Sequence, residues 1–126
     1  MAWLYCNSTG GLRDPLDNFV ENGYAGGNCG KNPEGVNNPA MCGVKDIGPL
    51  PCGTYTMGTP IEHSHLGPFA IPLTPSPDND MMDRGGFYCH GDVAGKFRCA
   101  SEGCIILSRD TRNAMWVSAD HQIQVI

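Results

Sequence analysis

Short apolar bursts separated by stretches rich in Gly, Asn and Pro run the length of the chain, and each burst is too short for a helix of ordinary length. Trp3-Leu4-Tyr5-Cys6 precedes the cluster Asn7-Ser8-Thr9-Gly10-Gly11 and then Leu12, a pattern that predicts a strand, a turn and a second strand. A further strand is expected within 17–24, ending toward Tyr24. From Ala25 to Gly43 the composition shifts to Gly, Asn and Pro, which predicts an irregular loop. Its length for a compact domain implies that it is functional or stapled. Gly53-Thr54-Tyr55-Thr56-Met57 and Phe69-Ala70-Ile71-Pro72-Leu73 read as strands, the second on a sheet edge because Pro72 has no N–H to give a ladder. Thr74 to Asp83 reads as surface loop, and Gly86-Phe87-Tyr88-Cys89-His90 and Cys104-Ile105-Ile106-Leu107-Ser108 as two more strands.

Ser108 to Trp116 is the single predicted helix, with Ser108 as N-cap and Asp110 in the first turn, and the alternation from His121 to Ile126 predicts a final strand. Many short strands with one helix indicate a mainly β fold, a small sandwich or open barrel with long Gly/Pro-rich loops. At 126 residues the chain is expected to form one domain, 1–126.

Charge and length exclude some partners. A formal net charge of -5 with scattered Lys and Arg argues against nucleic acid and anionic membrane surfaces, and no apolar run reaches the length of a membrane span. Met1-Ala2-Trp3-Leu4-Tyr5-Cys6 has no basic segment followed by an apolar core of signal-peptide length, so export through the general secretory route is not expected. Seven cysteines are nevertheless a heavy load for a reducing cytosol. Synthesis in the cytoplasm followed by delivery to an oxidising compartment reconciles the two.

The chemistry centres on His90 and Cys104. His90 ends an apolar, aromatic run, and Cys104 lies between Gly103 and the aliphatic run Ile105-Ile106. A thiol is mostly protonated at neutral pH, so a cysteine nucleophile needs a base within hydrogen-bond reach, and His90 is that candidate. Gly103 clears space for a substrate carbonyl, and the N–H groups of Gly103 and Cys104 can face a developing oxyanion. Ser101, through its hydroxyl or its carbonyl, is a candidate to hold the far imidazole nitrogen, and Asp92 is either an assistant to His90 or a turn former. With Cys104 as a free nucleophile, six cysteines remain for up to three disulfides, and Cys29 with Cys42 is the favoured pair because both lie in one loop.

Metal ligation is the rival for Cys89, His90, Cys99 and Cys104, but their spacing lacks a Cys-x-x-Cys knuckle and adjacent Cys89 and His90 on a strand point to opposite faces. His63 and His65 share a face if extended, but read more naturally as surface loop, and Pro77-Asp78-Asn79-Asp80 with Asp83 lacks the order of a calcium loop. No cofactor or metal is expected.

His90-Gly91-Asp92, a short loop, and Ser101-Glu102-Gly103-Cys104-Ile105 resemble the signature of L,D-transpeptidases, cell-wall enzymes with a cysteine nucleophile and a histidine base. The likeness extends to Trp3-Leu4-Tyr5 with Ser8-Thr9-Gly10, Gly23-Tyr24-Ala25-Gly26, Lys31-Asn32-Pro33, Asp46-Ile47-Gly48-Pro49-Leu50-Pro51 with Gly53 and Tyr55, Leu73-Thr74-Pro75, and Arg84 before Phe87. In these segments the chain is similar to the small L,D-transpeptidase-like effectors of type VI secretion systems. Glu102 and Ile106 stand where the wider family often has His and Arg, and the loop from His90 to Ser101 is shorter than in housekeeping enzymes. Arg84, Arg109 and Arg112 are left to meet a substrate carboxylate.

The resemblance implies that Cys104, with His90, acts on peptidoglycan stem tetrapeptides as an L,D-carboxypeptidase, an L,D-transpeptidase exchanging D-amino acids, or both. It also implies an antibacterial toxin made in the cytoplasm of a producer, loaded on secretion machinery, active in the periplasm of a target cell and restrained by a cognate immunity protein. The alternatives are a disulfide-stapled binding module with Cys104 paired and inert, and a cysteine endopeptidase cutting elsewhere in the stem.

Overall fold

In a computed structural model, residues 2–93 and 99–126 are described. Ten strands form one open, mixed sheet: β1 (Trp3–Tyr5), β2 (Gly11–Arg13), β3 (Phe19–Asn22), β4 (Tyr24–Ala25), β5 (Gly53–Met57), β6 (Ile61–His63), β7 (Gly67–Pro75), β8 (Tyr88–His90), β9 (Ile105–Ile106) and β10 (Gln122–Val125). Their spatial order is β3-β2-β1-β10-β5-β7-β8-β9-β4, with β6 paired to β7 beside this path. The two edge strands, β3 and β4, follow each other in the chain through Gly23. The sheet therefore curls until its edges are covalently adjacent without a ladder between them. At that junction Gly23 N–H donates to Gly10 O at 2.7 Å, and a Cβ on Gly23 would run into the Ile106 carbonyl.

The mainly β architecture and, among the described residues, one α-helix, α1 (Arg109–Val117), agree with the sequence reading. Ser108 caps α1 by accepting from Thr111 N–H at 3.3 Å. Tyr5, Leu12, Tyr55, Ile71, Ile105, Met115 and Ile123 are among the side chains enclosed between the curled sheet and α1. The last strand enters the middle of the sheet, parallel to β1 and antiparallel to β5. Among the described residues no helix is long and apolar enough to cross a membrane.

Three local expectations change. Pro72 is not on an edge: β7 pairs with β8 on one side and with β6 and then β5 on the other. The proline is tolerated because it sits at the change of neighbour from β6 to β5, where its missing N–H leaves no broken ladder bond, and its carbonyl accepts from Gly58 N–H at 2.8 Å. His63, read as surface loop, ends a strand, Ile61–His63. The predicted disulfide Cys29–Cys42 is replaced by Cys29–Cys99, across a sequence separation of 70. The loop after β4 folds back on itself through 3-10 turns at Pro33–Gly35 and Pro39–Met41. This places Cys29 beside the segment before Ser101, where Asn28 N–H donates to Ser101 O at 2.9 Å, and turns Cys42 toward Asn7 and Leu50.

Candidate functional site

β8 and β9 are parallel neighbours in which Cys89 pairs with Ile105 and His90 with Ile106. Side chains alternate along a strand, so Cys89 and Ile105 enter the core while Tyr88 and His90 emerge on the other face. Cys104 precedes β9, level with Tyr88, whose N–H donates to Cys104 Sγ at 3.3 Å. Sheet register thus brings His90 and Cys104 to the wall of one cleft, a space of about 840 Å³ that also borders His63, Tyr88, Asp92 and Ser101.

The imidazole of His90 is 2 % exposed. Its Nδ1 lies 3.0 Å from Gly91 O, and a carbonyl can only accept, so the Nδ1 proton is fixed there. Nε2 is left as the basic atom, buried and, among the described residues, without a hydrogen-bond partner. Burial holds the His90 pKa below its ordinary value, which keeps Nε2 unprotonated at neutral pH. Cys104 is a free thiol, and burial pushes it up to about 11, against the lowering effect of the Tyr88 N–H. Both shifts favour the neutral forms, a protonated thiol and an unprotonated imidazole, on the wall of one cleft.

The other predicted residues fall into two groups. Ser101 does not hold His90. Its hydroxyl accepts from Gly26 N–H at 2.8 Å and Gly103 N–H at 3.0 Å and donates to Cys104 O at 2.6 Å, while its carbonyl takes Asn28 N–H. Ser101 therefore braces the turn that carries Cys104, and the Gly103 N–H expected in an oxyanion hole is spent on it. Gly103 itself has φ +145°, and a Cβ there would lie 2.6 Å from Arg84 Nη2 and 2.8 Å from Phe87 Cε1. Asp92 Oδ1 accepts from Tyr24 Oη at 2.6 Å and from Val93 N–H at 2.9 Å, which fixes its carboxylate at the cleft border.

The arginines are not arranged as carboxylate binders. Arg84 borders the cleft, but its four terminal N–H groups go to the carbonyls of Cys42 and Pro49 (2.6 and 2.8 Å) and of Gly48 and Glu102 (3.0 and 3.1 Å), with the guanidinium 5.2 Å from the Phe87 ring centroid. It clamps the turn before Cys104 to the segment behind it. Arg112 is buried, with donors on the carbonyls of Leu107, Ser108, Pro68 and Phe69. Arg109 lies over the Phe69 ring at 4.5 Å, outside the residues that line the cleft.

The rival zinc set is not assembled, since Cys99 is in the disulfide and Cys89 is in the core. Among the described residues no group of three His, Cys, Asp or Glu side chains could hold a metal. The middle of the loop from His90 to Ser101, residues 94–98, lies outside the described residues.

His63, read from sequence as a surface residue, belongs to the site. Its Nδ1 accepts the N–H groups of His65 and Leu66, both at 3.1 Å, and its ring meets Tyr88 edge-on at 5.2 Å. Those two bonds put its proton on Nε2. The alternation Glu62-His63-Ser64-His65 was the available signal, but only the pairing of β6 with β7 carries it to the cleft.

A family model described as the Tlde1 domain matches residues 27–125, more than three quarters of the chain. The chain belongs to the Tlde1 domain family. The Tlde1 domain is a type VI secretion effector domain, and the matched span contains His63, Arg84, His90, Ser101, Cys104 and both cysteines of the disulfide. No curated protein and no solved structure matches the chain.

Because Ser101 braces the turn and does not touch His90, Ser101→Ala is expected to lower stability by about 2 kcal/mol, the usual cost of stranding buried donors. Denaturant unfolding measures the loss. The acid side of the pH dependence of activity should stay where it is, whereas a shift of that side would mean that Ser101 acts through His90.

Proposed function

We propose that this Tlde1 domain is a cysteine-dependent enzyme acting on peptidoglycan stem peptides, an L,D-carboxypeptidase that also exchanges D-amino acids. One observation carries the reading: a buried imidazole, locked through Nδ1 and with an Nε2 that has no partner among the described residues, lines the same cleft as a free thiol just before the neighbouring strand. The unpaired state of Cys104 also favours an enzyme over a disulfide-stapled binding module.

In this mechanism Cys104 Sγ attacks the carbonyl of the L-centre of the diamino acid at stem position three while His90 Nε2 takes the thiol proton. The Cys104 N–H is the candidate donor to the oxyanion, since that of Gly103 is engaged by Ser101. The tetrahedral intermediate expels D-alanine, whose nitrogen receives the proton from His90, and a thioester remains. Water then releases a tripeptide, with His90 again accepting a proton, or a D-amino acid amine attacks and is exchanged in. His63 Nε2–H, Asp92 and Tyr88 are the groups placed to meet the rest of the stem. Effector status supports delivery by a secretion system and a cognate immunity protein as partners. Shortened stems cannot serve as crosslink donors, which is the proposed basis of toxicity in the target periplasm.

Mass analysis of muropeptides incubated with the protein tests this directly. Tetrapeptides should lose one D-alanine, and scission inside the stem would replace the proposal with an endopeptidase. The same assay across pH should show activity falling as pH drops through a midpoint below 6.5. The sign follows from His90, whose pKa is lowered by burial: the base is neutral above that midpoint and is lost to protonation below it. No gain from a preformed thiolate is expected near neutrality, because the thiol is raised and not lowered.

A further inference from the structure

The segment behind the nucleophile turn starts and ends in a cysteine, Cys42 and Cys52, and neither takes part in the chemistry above. Asn7 joins them. This fully buried side chain donates from Nδ2 to Leu50 O at 2.9 Å, and the same nitrogen lies 3.6 Å from Cys42 Sγ and 4.0 Å from Cys52 Sγ. Both sulfurs therefore lie within 4.0 Å of one buried nitrogen. They differ in access, Cys42 being buried and Cys52 exposed.

We propose that Cys42 and Cys52 form a second disulfide, closed when the protein reaches an oxidising compartment. The other free thiols are placed elsewhere: Cys6 turns to the Ser8 hydroxyl at 3.2 Å, Cys89 is enclosed in the core and Cys104 borders the cleft. The reaction needs an external disulfide, of which oxidised glutathione is the simplest. Exposed Cys52 gives up its proton and attacks one sulfur of that disulfide, so an S–S bond forms at Cys52 and one glutathione thiolate leaves. Cys42, deprotonated in turn, attacks Cys52 Sγ from within and expels the second glutathione thiolate. Two protein thiols are oxidised, one disulfide is reduced to two thiols, and the two protons released by the protein are taken up by the departing thiolates. The buried sulfur never has to meet the oxidant, and because burial raises its pKa its attack is the slower step.

The bridge would secure the wall that the active turn leans on. Gly48 and Pro49, inside the closed loop, supply carbonyls to Arg84, and Leu50 N–H donates to Gly103 O at 3.0 Å. The inference does not depend on the substrate proposed for Cys104, and its test reads mass and melting temperature.

The folded protein carrying Cys29–Cys99 has five free cysteines. Incubation with oxidised glutathione, followed by alkylation and intact-mass analysis, should lower the number of alkylated thiols from five to three. Peptide mapping should find Cys42 linked to Cys52, and the melting temperature should rise by about 10 °C. Cys6→Ser should still form the bridge, and Cys52→Ser should leave Cys42 reduced. A count that stays at five, a glutathione adduct that persists on Cys52, or a link that includes Cys6 would each overturn the proposal.

Discussion

Replacing Cys104 by alanine is expected to abolish stem-peptide trimming, a loss of about 10⁴-fold or more, because no other group in the cleft can form the thioester. Cys104 is one of five free cysteines, and the others are engaged elsewhere in the fold. The variant should fold normally, since a small side chain replaces a small one that only partly packs against the core. In bacteria the contrast should be sharp. The unsubstituted domain, sent to the periplasm by an added export signal, should arrest growth, while the same protein kept in the cytoplasm and the exported Cys104→Ala variant should not. Equal toxicity of the exported alanine variant would end the covalent mechanism, whatever the muropeptide profile showed. His90→Gln should follow Cys104→Ala, because glutamine can occupy the place but has no basic nitrogen to take the thiol proton.

Cys99→Ser should be the most destabilising single change at the site, costing about 4 kcal/mol in the chain-entropy model for a loop of this length. The bridge from Cys29 to Cys99 spans 70 residues, so its loss releases a large part of the chain in the unfolded state. For a domain of this size the melting temperature should fall on the order of 15 °C. The consequence extends to chemistry. Cys29 and Cys99 border the cleft, and the bonds from Gly26 and Asn28 to Ser101 hold the turn before Cys104. With the bridge absent, trimming by the protein that remains folded should decline by about 10- to 100-fold, the penalty of a misplaced catalytic group. A melting temperature that moves by less than about 3 °C, with activity intact, would show that this bridge neither braces the fold nor the site. The result also bears on location, because a domain that needs this disulfide works best where thiols are oxidised.

Much of the secondary structure could be read locally. Ser108 and Asp110 marked the start of α1, and the alternation after His121 marked β10. These signals depend on neighbours in sequence, where capping and side-chain alternation act. Pro72 misled for the same reason: a missing N–H points to an edge only if the strand has one neighbour along its length, and β7 changes neighbours at that residue. The strand at Ile61–His63 was hidden because its pairing partner, and not its own composition, makes it a strand.

The site divides along similar lines. His90 and Cys104 stood out as candidates because a thiol nucleophile and its base need those residue types, whatever surrounds them, and the fold brings both to one cleft. The partners of Ser101 and Arg84 were not, because serine and arginine serve equally well as substrate contacts and as clamps on backbone carbonyls. Only the positions of the carbonyls of Cys42, Gly48, Pro49 and Glu102 show that Arg84 is a clamp. His63 needed β6, and Cys29 needed a fold-back of its loop to find Cys99 instead of Cys42.

By itself the sequence determined a mainly β chain with one capped helix and singled out a thiol and an imidazole as the candidate pair, since these follow from local pattern and intrinsic reactivity. The tertiary structure alone decided that parallel pairing of β8 with β9 sets His90 and Cys104 on one face, that the imidazole proton is fixed on Nδ1 by Gly91, and which cysteines meet. Each of those outcomes depends on groups far apart in the chain, and their distances are set by how the sheet curls and not by any run of neighbouring residues.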